Sequence, residues 1–449
     1  MRWGAIFGRV YQLAGIAVAI VHGLLGLALW RRLRAAFPRH GTWVNGLCAA
    51  GFLLLAHPAL FMAVAGWSGL RALQRHVPEP LSMASMGLQV ALLLVALPLA
   101  IAAAARAALR ALRRARPARG VEATARVAAA AQPAADAAQP QAATAADAAQ
   151  PEAVDERRRR VVVAATWALP AAAVAVSMGG VLASRQRPVI TRIALPVRRE
   201  LTSLHGLTIA QLSDVHVGNF MDAERLDELR DAMNALGADL HVVTGDLLDH
   251  HVSQLELSTR LLRGLRPARG ETFFCMGNHE YIAARSADAG TIVKGLEEAG
   301  AQVLIDEARE VRLGGDRLWM GAIDYPSRGR SGEAARRPLR DGLTRALGQM
   351  RDDGAPRVLL SHHPGTFVQA RDLPLPFDLM LSGHTHGGQI SLGRIGEYEL
   401  TPLLAAAHYH NGLYEHRGRR LYVNAGAGGW LPVRINCPPE ITLVELVPA

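Results

Sequence analysis

Five times between residues 208 and 386 an apolar run of strand length stops, and oxygen or imidazole side chains follow at once. LTIAQLSDVH ends in Asp214 and His216, LHVVTGD in Asp246, and TFFCMGNHE carries Asn278 and His279. RVLLSHH ends in His362 and His363, and DLMLSGHTH in His384 and His386. Amphipathic stretches lie between the runs. AERLDELRDAMNALG puts Leu226, Leu229, Met233 and Leu236 on one helical face, with Asp222 placed as N-cap and Gly237 just past the end. Strand alternating with helix predicts an α/β domain with much parallel sheet. Parallel strands bring their carboxyl ends to one edge of the sheet, so five tips distant in sequence can converge there.

Convergence would turn scattered Asp, Asn and His residues into a metal site. A donor set of carboxylate, imidazole and amide oxygen without thiolate suits hard to borderline divalent ions such as Mn, Fe or Zn. The candidates are too many for one ion and enough for two. Two metals about 3.5 to 4 Å apart, sharing a carboxylate, clamp phosphoryl oxygens during in-line displacement. That need accounts for Asp246 alone on its own strand tip, and it assigns His384 and His386 to different metals. Glycines 245, 277, 383, 387 and 388 let the backbone turn sharply beside these residues. A lone Asp-x-His or Gly-Asp is common as a turn or cap; five such tips in one order point to a site.

The blocks D-x-H, G-D, G-N-H-E, H and G-H-x-H, here Asp214/His216, Gly245/Asp246, residues 277–280, His362 and residues 383–386, resemble those of the calcineurin-like metallophosphoesterase superfamily. The resemblance covers about residues 196–446, and the tail LYVNAGAGGWLPVRINCPPEITLVEL is similar to the membrane-associated, exported branch typified by the phosphodiesterases YaeI and YkuE. It implies a four-layer α/β/β/α sandwich over residues 196–449. It also implies roles: Asp214, His216 and His386 on the first metal, Asn278, His362 and His384 on the second, Asp246 between them. His279 is then no ligand but the catalytic residue beside the leaving group. His363 is the alternative to His362 as ligand, in a shifted register, and the block order favours His362. Asp249 and Glu280 are candidates for orienting ligands, and Arg434 for a substrate phosphate contact or a structural ion pair. His408 and His410 either line the mouth of the pocket or belong to a surface loop.

The first half of the chain has a different character. Residues 11–30, 43–67, 81–105 and 161–184 are each apolar over the roughly 20 residues that a ~30 Å hydrocarbon core requires. Three tryptophans, Trp30, Trp43 and Trp67, stand at their ends, as interfacial tryptophans do. The expectation is an all-α region of three transmembrane helices over 1–105, a basic and Ala/Pro-rich disordered linker over 106–160, and a fourth transmembrane helix over 161–185. The loop after the first span carries four arginines and the linker eleven, whereas the loop between holds Arg71 and Arg75. Arginine-rich loops stay in the cytoplasm. This arithmetic sets the second half on the periplasmic or external face of a bacterial inner membrane. The arginines at 185, 187, 192, 198 and 199 pull the other way.

Composition narrows the partners. The first 185 residues hold 20 arginines against 7 acids; the remainder holds 29 basic residues against 32 acids, so the net charge of +10 belongs to the first half. A basic groove for nucleic acid in the second half has no support. Three cysteines, Cys48, Cys275 and Cys437, show neither metal nor redox spacing. The reading is a membrane-anchored binuclear metal-dependent phosphoesterase acting on a phosphodiester, phosphomonoester or pyrophosphate, with lipid-linked and cell-envelope substrates in reach. The alternative is a non-catalytic metal-binding scaffold or sensor on the same fold.

Overall fold

The computed structural model describes residues 172–449, except 219, 326–332, 376, 396–397, 402–407 and 430, together with scattered positions between 16 and 49. The expected first three membrane helices, the linker and residues 161–171 of the fourth lie outside the described residues, those scattered positions apart. Residues 172–184 are helical, and no helix among the described residues is long and apolar enough to cross a membrane. Two compact units divide the chain, one formed by Met1–Gly87 with Ser177–Ala449 and the other by Leu88–Val176.

In chain order the second half runs β1 (Val189–Val197), β2 (Thr208–Leu212), α1 (Ala223–Ala235), β3 (Leu240–Val243), α2 (Leu255–Gly264), β4 (Thr272–Cys275), α3 (Asn278–Ala283), α4 (Ala289–Glu298) and β5 (Ala301–Leu304). Then follow β6 (Glu307–Leu313), β7 (Asp316–Ile323), α5 (Glu333–Gln349), β8 (Arg357–Ser361), α6 (Thr366–Ala370) and β9 (Leu379–Ser382). The chain closes with a short hairpin, β10 (Arg394–Ile395) and β11 (Tyr398–Glu399), then β12 (Gly412–His416), β13 (Arg419–Val423) and β14 (Glu440–Pro448). The first strand begins before residue 196, because all nine residues of β1 pair in parallel with β14, from Val189 opposite Glu440 to Val197 opposite Pro448.

Two mixed six-stranded sheets result, ordered β1-β14-β2-β3-β4-β5 and β12-β13-β9-β8-β7-β6. Strands β2 to β5 are parallel to one another, as are β13, β9, β8 and β7. The period-two alternation of each strand decides what lies on each face. Ile209, Leu240, Val242 and Phe273 of the first sheet share one apolar cluster with Met320, Val358, Leu360, Leu379 and Leu381 of the second. Their neighbours Leu212, Val243 and Phe274 face α1, α2 and α4, whereas Trp319, Leu359 and Met380 face α5 and α6. Helix, sheet, sheet and helix therefore stack in four layers. Helix α1 is as expected: Asp222 accepts from Arg225 N at 3.0 Å, Leu226, Leu229 and Met233 are buried, and Gly237 takes φ 60° just past its end.

The five strand tips do not sit on one sheet edge. Those of β2, β3 and β4 belong to the first sheet and those of β8 and β9 to the second. The shared apolar cluster presses the sheets together, so both carboxyl-terminal edges can face one site.

Candidate metal centre

Each proposed ligand lies within a few residues of a strand end, where the backbone leaves the ladder and turns. Five of them turn in an uncommon way: Asp214, His216, Asp246, His384 and His386 have φ between 51° and 72°, in the left-handed region. Non-glycine residues are held there only when surrounding structure over-determines them, and such positions cluster at functional sites. Gly245, at φ 80°, makes the neighbouring turn possible: a Cβ there would lie 2.7 Å from Gly277 N and 2.9 Å from His362 Nδ1. A Cβ on Gly383 would collide with Ser213 Oγ and Asp214 Oδ2.

These turns bring the side chains into two overlapping groups. In the first, His216 Nε2 stands 3.0 Å from His386 Nε2, and His386 Nε2 lies 3.3 Å from Asp214 Oδ1. In the second, His362 Nε2 lies 3.1 Å from His384 Nδ1 and 3.2 Å from Asn278 Oδ1. Asp246 Oδ2 falls between them, 3.7 Å from His216 Nε2 and 3.0 Å from His362 Nε2. The trios Asp214/His216/His386 and Asp246/His362/His384 each offer ligand atoms within 4.8 Å of one another. A third trio, His216, Asp249 and His279, also meets that distance. In it, however, His279 Nδ1 is hydrogen-bonded to the backbone carbonyl of Asp249.

The donor set fits two divalent cations. His362 Nδ1 contacts the carbonyl of Thr244 at 2.7 Å, which turns Nε2 to the cluster; burial disfavours the cation of this imidazole, but Asp246 raises it to about 10, so a divalent ion at Nε2 would take the place of a proton. Lone pairs from four imidazoles, two carboxylates and an amide oxygen converge in a buried space with few protons to share among them. Burial, then the charges of His362 and His363, push His384 well below its ordinary pKa; burial, then His216 and Arg434, do the same to His386. Neutral imidazole is the form that ligates a metal.

His279 sits at the edge of this cluster. Its backbone N donates to Asp246 Oδ1 at 2.8 Å, and its Nδ1 lies 3.3 Å from Asp249 Oδ1. Burial disfavours its cation, but the carboxylates of Asp246 and Asp249 outweigh burial and raise the imidazole to about 9. Asp249 also reaches His216 Nδ1 at 3.5 Å, so one carboxylate faces both a candidate ligand and the candidate acid. Glu280 is buried, and each of its oxygens accepts two backbone N–H groups: Oε2 from Asp246 at 2.9 Å and Gly277 at 2.8 Å, Oε1 from Leu247 at 2.8 Å and Leu248 at 3.1 Å. It ties the loop after β3 to the start of α3.

Arg434 turns inward, and among the described residues its guanidinium meets backbone carbonyls and no carboxylate within ion-pair distance. Its guanidinium, 1% exposed, donates to the carbonyls of Ala425, Gly426, Gly428, Cys437 and Pro438. The cleft beside the cluster, ≈ 340 Å³, is lined by His216, Asp246, Asn278, His279, His384 and His386, and on its other side by His363, Pro364, Val368, His408 and Tyr409. His363 does not join a ligand trio: its Nδ1 accepts from Gly365 N at 3.0 Å, and burial, then His362, lower it to about 4. His408 lines the cleft; His410 is buried behind it. Sequence reasoning missed Tyr325, whose ring centre lies 6.0 Å from those of His362 and His384. The signal was there in LWMGAIDY, a sixth apolar run that ends on Asp324 and Tyr325.

Residues 207–388 match the family model described as calcineurin-like phosphoesterase. Phosphodiesterase YaeI of Escherichia coli is 30% identical over 249 residues, which span 53% of this chain and 80% of that protein. The chain belongs to the calcineurin-like metallophosphoesterases. An uncharacterized metallophosphoesterase of Helicobacter pylori is 33% identical over 244 residues, covering 54% of this chain and 60% of the relative. A transmembrane protein with metallophosphoesterase domain from Danio rerio is 30% identical over 279 residues, covering 60% of this chain and 59% of the relative. The chain thus spans about three-fifths of the length of these last two relatives. The family match of this metallophosphoesterase, residues 207–388, contains every candidate ligand from Asp214 to His386.

Proposed function

We propose that this chain is a binuclear metal-dependent phosphoesterase, most directly a phosphodiesterase, held at a membrane by the apolar segments of its first half. Asp214, His216 and His386 would hold one divalent cation, Asn278, His362 and His384 the other, and Asp246 both. The observation that carries this reading is Asp246 Oδ2, which stands between His216 and His362 at the meeting of the two ligand groups. Such a pair of cations supplies charge to the phosphoryl oxygens and acidifies the attacking water.

The chain's own residues do the rest. The backbone carbonyl of Asp249 accepts the hydrogen bond of His279 Nδ1–H and its carboxylate stands 3.3 Å away, so the protonated ring would present Nε2–H to neutralise the departing ester oxygen. Val368, Pro364 and Tyr409 offer an apolar wall to the organic part of the substrate. The four apolar segments and the arginine distribution support a bacterial inner-membrane protein with its catalytic domain outside, and hence a lipid-linked or envelope phosphoester.

The test is the full chain purified in detergent with Mn(II) and assayed on bis(p-nitrophenyl) phosphate. Two ions per chain are expected. His279→Ala should lower kcat by about 10² to 10⁴ fold while keeping both ions. Two bound ions with no turnover on any phosphoester would leave the scaffold reading standing. A compartment-sensitive reporter fused after Ala449 tests the orientation, and a cytoplasmic signal would overturn it.

A further inference from the structure

The end of the fourth apolar segment is built into the catalytic domain. Ser177 and Val181 are buried, and Ser184 Oγ donates to the carbonyl of Pro432 at 3.1 Å. Arg434 N donates to the carbonyl of Gly180 at 2.9 Å. From α1, Arg225 reaches back to the carbonyls of Ser184 at 3.2 Å and Arg185 at 2.8 Å, where a helix leaves carbonyls without partners. At Gly180 the helix and the loop 432–435 touch through backbone: a Cβ there would lie 2.9 Å from Val433 Cγ1, 3.0 Å from Ile435 Cγ1 and 3.1 Å from Arg434 O.

That loop backs one half of the cluster directly and meets the other through Asp214, whose carboxylate accepts from His384 N at 3.0 Å. Arg434 gathers the carbonyls of Ala425, Gly426 and Gly428. Gly428 N in turn donates to the carbonyl of Asp214, and Ala427 N to that of Ser213, both at 2.9 Å. On the same side Cys437 Sγ contacts the carbonyl of His386 at 3.2 Å, and Gln389 donates to the carbonyls of Leu431 at 2.7 Å and Val433 at 3.1 Å. A Cβ on Gly426 would lie 2.9 Å from Asp214 Cβ and 3.2 Å from His386 Nδ1. Asp214 and His386 thus have the 425–437 loop as their backing, whereas His362 is backed by Thr244.

We propose that Gly180 and Arg434 are positioning residues for the Asp214/His216/His386 half-site, with the helix end at 177–184 holding the loop that holds those ligands. The proposal rests on the two-cation reading above. It makes the occupancy of one ion depend on how the helix end at 177–184 seats against the domain, while the second ion feels it less. Outer-shell supports of this kind are worth about 10- to 100-fold in metal affinity.

The variant pair Gly179→Leu and Gly180→Leu tests it in the full-length protein in detergent. Both replace a helical glycine by a better helix former, and a Cβ on Gly179 meets nothing within 4 Å. Mn(II) titration followed by electron paramagnetic resonance reads isolated ions apart from exchange-coupled pairs. Wild type and Gly179→Leu should fill to coupled pairs. Gly180→Leu should bind its first ion with little change in affinity and need roughly 10- to 100-fold more Mn(II) to form the pair. Arg434→Met should show the same split; should it not fold, the glycine pair decides alone. Coupled pairs at wild-type Mn(II) in Gly180→Leu, or equal weakening of both ions, would overturn the proposal. A wild type that never binds two ions would instead sink the two-cation reading itself.

Discussion

His241, in the middle of β3, is wholly buried on the helix-facing side of the first sheet, and neither of its ring nitrogens has a hydrogen-bond partner among the described residues. Burial lowers its pKa from 6.5 to about 4. The folded protein therefore keeps this imidazole neutral over a pH range in which the unfolded chain protonates it. Below pH 6.5 the unfolded state binds the extra proton, so stability is full above 6.5 and drains away as pH falls towards 4. The 2.5 pH units between the two values, at about 1.4 kcal/mol each, put the total loss at about 3.5 kcal/mol. Against the roughly 5 to 15 kcal/mol typical of a folded domain, that is a large fraction. His241→Leu removes the titration and two unpaired buried nitrogens, so it should match or exceed wild-type stability at pH 7.5 and outlast it at pH 4.5. Pulse proteolysis in urea across pH 4 to 8, with metal chelated in both proteins, measures the two curves; the other histidines titrate equally in each. A wild-type slope that survives in His241→Leu would refute the assignment.

Other outcomes follow from the cluster. Glu280→Gln keeps the shape but only one accepting oxygen, so two of four buried N–H groups lose a partner; a loss of about 2 to 6 kcal/mol is expected in urea midpoints. Gly383→Ala should displace Asp214 and cost the first ion, read as metal per chain by elemental analysis. Asp249→Ala leaves the backbone carbonyl on His279 Nδ1 but removes the carboxylate, so kcat should fall less than in His279→Ala, about tenfold, with KM unchanged.

Much of the site was legible because its chemistry is local. A strand that stops on Asp, Asn or His carries its donor wherever the tip goes, and five such stops in one chain mark convergence before any fold is known. The helix at 223–235 was legible for the same reason, since its cap, apolar face and terminal glycine lie within one stretch. What could not be read depends on long-range pairing. The division of the tips between two sheets follows from the cluster joining Phe273 and Val242 to Leu360 and Leu381, and nothing local distinguishes those strands. Arg434 misled because an arginine near a phosphate site suggests a phosphate; its carbonyl partners exist only once the 425–438 loop has closed around it. The same closure hides Gly180, whose contact lies some 250 residues away in the chain, and the left-handed turns at Asp214 and Asp246, which no side-chain pattern announces.

Strand β14 is not an edge strand. β14 lies between β1 and β2, antiparallel to β2 from Thr442 opposite Gln211 to Glu445 opposite Thr208. A ribosome making this protein has therefore finished every candidate ligand by His386 while the first sheet still lacks an interior member. The first sheet is complete only once residues 440–448 have paired between β1 and β2. A chain cut between Val423 and Glu440 would carry every motif and a complete second sheet, and would leave the motifs on β2, β3 and β4 without a finished one.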